Sequence, residues 1–377
     1  MRSLLWIVII IIIYGSLYPF HFVWTDPAQI DWLDWGMQVR QRTTNGDVLS
    51  NFLTFVPLGY FAFASQATRP VGYFRKVLVI LFWGAVLAFA MQIVQFYTPT
   101  RIPSVGDALI NILGICAGVA IAVGVQLWLK RNPQYALSWP KIISVPLVLA
   151  VGWMAYQLFP FVPRFELISF KQNLEPLIGS PTWVWHEWLF QSVMWYCFIV
   201  FLQWTRGFDA KFPRLLLVVS LLLVSKIVIA YNPIDITDLM AALSALLAYR
   251  LWPCFYWNYR HLLLICVAIF IREMYPFNYS MNAAKFNLVP FSYYLIGSMW
   301  VNTQSILEKL FAYGSLIFVA MEVLGHRIKA IVICLLFILC IELLQLALVH
   351  QRADITDLLM IVAIGYAFQQ LRETRMV

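Results

Sequence analysis

Charge is scarce in this 377-residue sequence: 12% of its residues are Asp, Glu, Lys or Arg, 62% are hydrophobic, and the mean hydropathy is +0.78. Water-soluble domains carry about one quarter charged residues, so a soluble globular chain is excluded. The six cysteines (Cys116, Cys197, Cys254, Cys266, Cys334, Cys340) form no Cys-x-x-Cys pair and lie in or beside apolar runs. Buried free thiols are the expectation, and a disulfide framework is not. A phosphate-binding glycine loop, a Cys/His metal pattern and a nucleophile elbow are all missing, and His186-Glu187 has no second histidine at zinc spacing. No cofactor and no metal are expected.

What is present is apolar length. Leu4–Ile13, Val77–Ala90, Leu215–Ala230 and Ala330–Leu348 are the cores of runs that, with their flanks, reach the ~20 residues needed to cross a bilayer. The first run lacks a small-residue cleavage site and leads directly into Tyr18-Pro19-Phe20-His21, so it reads as a retained helix rather than a removed signal. About twelve such segments predict an all-α fold, a polytopic transmembrane helical bundle.

The net charge of +8 follows from topology rather than from nucleic-acid binding, which is not expected. Basic residues gather in alternate connections: Arg69, Arg75 and Lys76; Lys130, Arg131 and Lys141; Arg206, Lys211 and Arg214; Arg250 and Arg260; Arg327 and Lys329. Arg2, Arg372 and Arg375 fall on the same side, which holds only Asp209 and Glu373 as acids. The positive-inside rule then puts both termini in the cytoplasm.

The segments repeat. A helix ending in aromatic-Pro-Phe occurs at Tyr18-Pro19-Phe20, Phe159-Pro160-Phe161 and Tyr275-Pro276-Phe277, where proline stops it. A polar outer stretch follows, including Lys171-Gln172-Asn173-Leu174-Glu175-Pro176 and Lys285-Phe286-Asn287-Leu288-Val289-Pro290. The next helix is expected to open at Asn51, Glu187 and Glu308-Lys309. A basic loop, a third helix, a short acidic turn and a fourth helix complete each unit. The turns are Ser104–Asp107, Asp235–Asp238 and Asp354–Asp357, the last two both reading Asp-Ile-Thr-Asp. Agreement in order, side and spacing predicts three four-helix repeats.

Polar side chains recur at one depth in these repeats. Glu342 and Gln345 share a helix face, with Arg352, Asp354 and Asp357 following; Gln92, Gln95, Arg101 and Asp107 repeat the spacing. In the middle unit, Lys226 lies twelve residues before Asp238, with Asn232 between them. An ionisable group inside a bilayer is costly and normally faces a partner or a wet cavity, which makes these residues candidates for ligand binding. Helix capping explains the acidic turns equally well, and hydrogen bonding between helices does the same for Glu342 and Gln345. Asn111 and Gly114 read as a close-packing face. Trp32, Trp35, Trp183 and Trp185 suit interfacial belts, or a stacking platform for a sugar.

Together these residues resemble the VanZ-like family of bacterial membrane proteins. The resemblance lies in Asn51-Phe-Leu-Thr-Phe-Val-Pro57-Leu-Gly59, Gln92-x-x-Gln95 and Arg101 through Asp107 to Asn111 and Gly114, and again in Asn287-Leu-Val-Pro290-Phe291, Glu342-x-x-Gln345 and Asp354-Ile-Thr-Asp357. It implies family repeats at 1–128 and 261–373, with 142–252 a degenerate copy. The first copy departs in having Gln92 where the family tends to have an acid, and Ser104 in place of an Asp. The third lacks counterparts of Asn111 and Gly114. The founding member is associated with resistance to the glycopeptide antibiotic teicoplanin; the family implies no established reaction or cofactor.

The expectation is an integral protein of the bacterial inner membrane. Its outward-facing polar cluster would bind or handle an amphiphilic envelope molecule, a lipid or a prenyl-linked glycan precursor. The ligand set would be Glu342, Gln345, Arg352, Asp354 and Asp357, with Gln92, Gln95, Arg101 and Asp107 as a second cluster. Arginine's planar fork suits phosphate. A non-catalytic scaffold bound to other subunits of a membrane complex is the alternative. A further one is a glycosyl- or acyltransferase with a lipid-linked donor, using Asp26, Asp31 and Asp34.

Overall fold

The computed structural model describes residues 2–18, 20–24, 45–66, 72–99, 103–132, 144–179, 181–205, 211–254, 256–279, 286–295, 299–349 and 353–373. Among them the protein is all-α, with thirteen helices and no strand. The chain divides into two compact units, Met1–Leu137 and Ser138–Val377. The second unit holds both the middle and the last of the expected repeats.

Unit 1 contains α1 (Arg2–Leu17), α2 (Asn45–Ala64), α3 (Tyr73–Gln95) and α4 (Val105–Arg131). Its core is built from Ile12, Phe55, Leu58, Phe63, Ile80, Ala88, Ile115 and Val119. The most extensive pairing is α2 with α4, and glycine makes it possible. A Cβ on Gly114 or Gly118 would overlap the carbonyl oxygen of Phe52 or Val56, and one on Gly59 that of Ile115. Small residues let membrane helices approach to backbone contact in this way.

Unit 2 contains α5 (Val145–Leu158), α6 (Leu167–Ile178), α7 (Trp185–Trp204), α8 (Phe212–Val228), α9 (Ile236–Leu251), α10 (Tyr259–Met274), α11 (Met299–Leu324), α12 (Arg327–Gln345) and α13 (Thr356–Glu373). Helix α11 is buried all round from Phe311 to Met321, as a helix apolar on every face must be. It packs on α5, α12, α13 and α10, while α7 packs on α9, α10 and α5. Aromatic side chains fill the interior: Trp153, Trp195, Phe198, Phe201, Phe311 and Tyr313 are all fully buried.

Among the described residues three helices, α3, α4 and α12, are long and apolar enough to cross a membrane; Leu4–Leu17, Asn51–Ala64, Val145–Leu158 and Thr356–Gln369 are shorter apolar helices. The helix outside the expected apolar segments is α6, within what the sequence presents as a polar stretch. Its buried residues are Ser169 and Asn173, whereas Leu167, Ile168 and Ile178 are exposed. Polar residues facing inward hide it from a reading by hydropathy. A second difference concerns α11, which begins at Met299, so Glu308 and Lys309 lie well inside it rather than opening it.

The aromatic-Pro-Phe element recurs in backbone as well as sequence. Phe20, Phe161 and Phe277 all have positive φ (62°, 63° and 60°), and each N–H donates to the carbonyl three residues back. The Phe159-Pro160 and Tyr275-Pro276 bonds are cis. Beyond this element the chain runs alongside the ends of α3, α8 and α12 in turn. The links are Val23 N–H to Tyr97 O (2.8 Å), Arg164 N–H to Val228 O (2.8 Å) and Val349 N–H to Asn278 O (2.7 Å).

Candidate functional site

Hydrogen bonds tie each polar corner together. Gln95 Nε2 donates to Ser16 O (2.8 Å), Asn232 Nδ2 to Gln157 O (2.7 Å) and Gln345 Nε2 to Glu273 O (3.0 Å). The acceptors lie in the last turns of α1, α5 and α10, so the bonds fasten these helices to the end of α3, the stretch after α8 and the end of α12. In the middle of the chain Asn232 makes this bond, although Lys226 has the spacing of the glutamines. Gln92 Oε1 accepts the Ser104 N–H (2.9 Å), and Glu342 Oε2 accepts the Asp354 N–H (2.8 Å). Four of the nine expected ligand residues are therefore braces of the backbone.

The acidic turns divide their labour. Their first residues cap: Ser104 Oγ accepts from Gly106 N–H (3.1 Å), Asp235 Oδ1 from Asp238 N–H (2.7 Å) and Asp354 Oδ1 from Thr356 N–H (2.7 Å). Burial raises the pKa values of both turn carboxyls, Asp235 and Asp354, above their ordinary values. Their last residues meet cations. Lys226 Nζ lies 2.5 Å from Asp238 Oδ2, and Lys309 Nζ lies 2.6 Å from Asp357 Oδ2. Asp107 lies half-buried in the first turn of α4.

Around Asp357 the pair becomes a cluster. The Tyr313 hydroxyl donates to Asp357 Oδ2 (2.5 Å), and Lys309 also lies 3.5 Å from Glu273. Beside them Arg272 pairs with Glu187 and lies 3.5 Å from Glu308. These groups come from the ends of α7, α10 and α13 and from the third turn of α11. With Glu342 and Asp354 the corner holds six carboxylates against Lys309 and Arg272. It is graded in exposure: the Asp357 side chain is 4% exposed, whereas Arg272 and Glu187 are 33% and 30% exposed. Near the Glu187–Arg272 pair, buried Gln191 Oε1 and His186 Nδ1 have no hydrogen-bond partner.

The sequence reading missed Lys309, Arg272, Glu273 and Tyr313 as site residues, and took Glu187 and Glu308 only as marks of a helix start. The cost of an ionised group in an apolar helix could have found Lys309 and Arg272. Arg101 and Arg352 lie outside the described residues, as do Asp26, Asp31, Asp34, Trp32 and Trp35. Trp183 and Trp185 are exposed, Trp183 packing beside Trp188 with ring centroids 6.0 Å apart. All six cysteines are free, and no metal-binding group of three or more His, Cys, Asp or Glu occurs among the described residues.

Comparison with known proteins gives a family and no individual relative. No curated protein and no solved structure matches. The VanZ/LLP1 family pattern matches residues 5–129 and 259–367, together more than half of the sequence. These regions carry the two glutamine braces and the two turn braces, and the chain is a multi-pass membrane protein that belongs to the VanZ/LLP1 family.

Proposed function

We propose that this protein sits in the bacterial inner membrane with both termini cytoplasmic. It comprises three four-helix repeats giving twelve membrane crossings, with the middle repeat degenerate and α6 lying along the outer surface. It binds an amphiphilic envelope molecule at the outer corner of unit 2. The observation that carries this reading is the carboxylate-rich cluster of Glu187, Arg272, Glu308, Glu273, Lys309 and Asp357, buried at one end and open at Arg272 and Glu187. Six acids with two bases accept hydrogen bonds and protons more readily than they hold an anion. The head they fit is rich in hydroxyl or amino groups, as in a lipid-linked sugar. Arg352, which falls between α12 and α13 in the sequence, is the partner for a phosphate on such a molecule.

The test is crosslinking in native membranes, using a polyprenyl-diphosphate-linked sugar with a photoreactive prenyl chain. Labelling is expected in unit 2 and should fall about tenfold in Glu308→Gln, which keeps the shape and removes the charge. Expression and melting temperature should hold. Equal labelling of the variant and the parent would overturn the reading. A scaffold role in a membrane complex is the second reading, favoured because Gln92, Gln95, Glu342 and Gln345 are all engaged by this chain's own backbone. Co-purification of another membrane protein at fixed stoichiometry, without sugar-lipid labelling, would support it.

A further inference from the structure

Away from the charged corner, unit 2 carries a groove of about 480 Å³ between α7, α9 and α10. Its walls are Trp188, Tyr196, Ala248, Leu264 and their neighbours, running along α7 from Trp188 to Cys197. Nine residues of helix rise about 14 Å, close to half of a ~30 Å hydrocarbon core. The groove therefore has the length of one bilayer leaflet. Its hydroxyl and indole groups along that length are satisfied internally: Trp188 Nε1 donates to Ser244 Oγ (3.1 Å), and the Tyr196 hydroxyl to Trp252 O (3.1 Å).

The end near the start of α10 is different. Trp257 lines the groove, is 6% exposed overall, and its indole N–H is buried without an acceptor. His261 Nδ1 accepts the Asn258 N–H (3.3 Å), which leaves its proton on Nε2 as a second donor. Exposed Arg260 supplies a third, and no carboxylate lines the groove. An apolar channel of leaflet length thus ends in three donors, one of them a full positive charge.

We propose that this groove is a binding site for an anionic glycerophospholipid. One acyl chain lies along α7 and α9, and the phosphate is held by Arg260 with hydrogen bonds from Trp257 and His261. A burial cost explains the choice of ligand: an indole N–H shut away from water needs an acceptor, and lipid ester and phosphate oxygens are the acceptors a membrane offers at that depth. The site is separate from the carboxylate corner and does not depend on the ligand proposed there.

Native mass spectrometry on the delipidated full-length protein tests this, titrating phosphatidylglycerol against phosphatidylcholine with identical chains. The parent should hold phosphatidylglycerol at least tenfold more tightly. Arg260→Gln, at an exposed position, should abolish that preference, and Trp257→Phe should weaken phosphatidylglycerol about tenfold. Ala248→Trp, which fills the groove from its exposed side, should reduce both lipids; glycerol phosphate alone should not bind. Equal affinity of the parent for both lipids, or an unchanged preference in Arg260→Gln, would overturn the assignment. So would a groove found filled by a partner's transmembrane helix.

Discussion

The two units fasten the same polar corner with the same bonds and pack their helices by opposite means. In unit 1, Asn111 and Gly114 follow Asp107 by four and seven residues, and glycine brings α4 against the backbone of α2. In unit 2, Ile361 and Ile364 stand at those distances from Asp357, and the interior is filled by Trp, Phe and Tyr. Bulky contacts hold helices further apart than glycine contacts do. The corner of unit 2 holds Lys309, Arg272 and six carboxyl groups. Among the described residues, then, unit 1 shows a braced corner beside backbone-to-backbone packing, and unit 2 a braced corner with a charged cluster beside side-chain packing.

Removing a cation from that corner should have the largest effect. Lys309→Met leaves Asp357 and Glu273 buried without their partner, and breaking a buried pair in this way costs about 3–5 kcal/mol. Adding Asp357→Asn should recover part of the loss, because Tyr313 can still donate to the amide oxygen. Thiol labelling during thermal unfolding reads the units separately, since Cys116 lies in unit 1 and the buried Cys334 in unit 2. Early exposure of Cys334 with unchanged Cys116 is expected. Equal stability of the single and double variants would remove the ion pair from the account of unit 2.

The converse change attacks unit 1. Gly118→Ala forces α2 and α4 apart, because its Cβ would overlap the Val56 carbonyl oxygen. Overpacking of this kind costs about 1–3 kcal/mol. Labelling of Cys116 should now come first, while Cys334 keeps its parental midpoint. Parental labelling of both thiols would mean that glycine contacts do not hold unit 1 together.

Hydropathy and charge asymmetry made an all-α membrane chain legible without coordinates, and the spacing of Gln92/Gln95 and Glu342/Gln345 made the corner legible too. For their role the sequence leaves two readings open, ligand binding and hydrogen bonding between helices. The carbonyls of Ser16 and Glu273 beneath Gln95 and Gln345 show the second, while Glu342 accepts the Asp354 N–H. Lys309 is hidden for a different reason: with Glu308 it reads as a helix start, whereas α11 begins ten residues earlier. Helix α6 escaped because its inward residues are polar. Asn173 Nδ2 donates to the carbonyls of Lys226, Ile227 and Ile229, a clamp that needs the folded end of α8 to exist.

The subtlest test exchanges the braces between units. Gln92 and Glu342 accept the same backbone N–H, that of the residue twelve positions on, one through an amide oxygen and the other through a carboxylate. If the bond alone matters, Glu342→Gln and Gln92→Glu should each change stability by less than about 1 kcal/mol, the net worth of one hydrogen bond. Glu342→Leu should cost about 1–3 kcal/mol, because the Asp354 N–H is then buried without an acceptor. If the Glu342 charge also serves the corner, Glu342→Gln should keep its melting temperature yet lose sugar-lipid labelling, whereas Gln92→Glu should leave both as they were. Equal labelling in all three variants would make Glu342 a brace and nothing more, and would leave Lys309, Arg272 and Glu308 as the groups that distinguish unit 2.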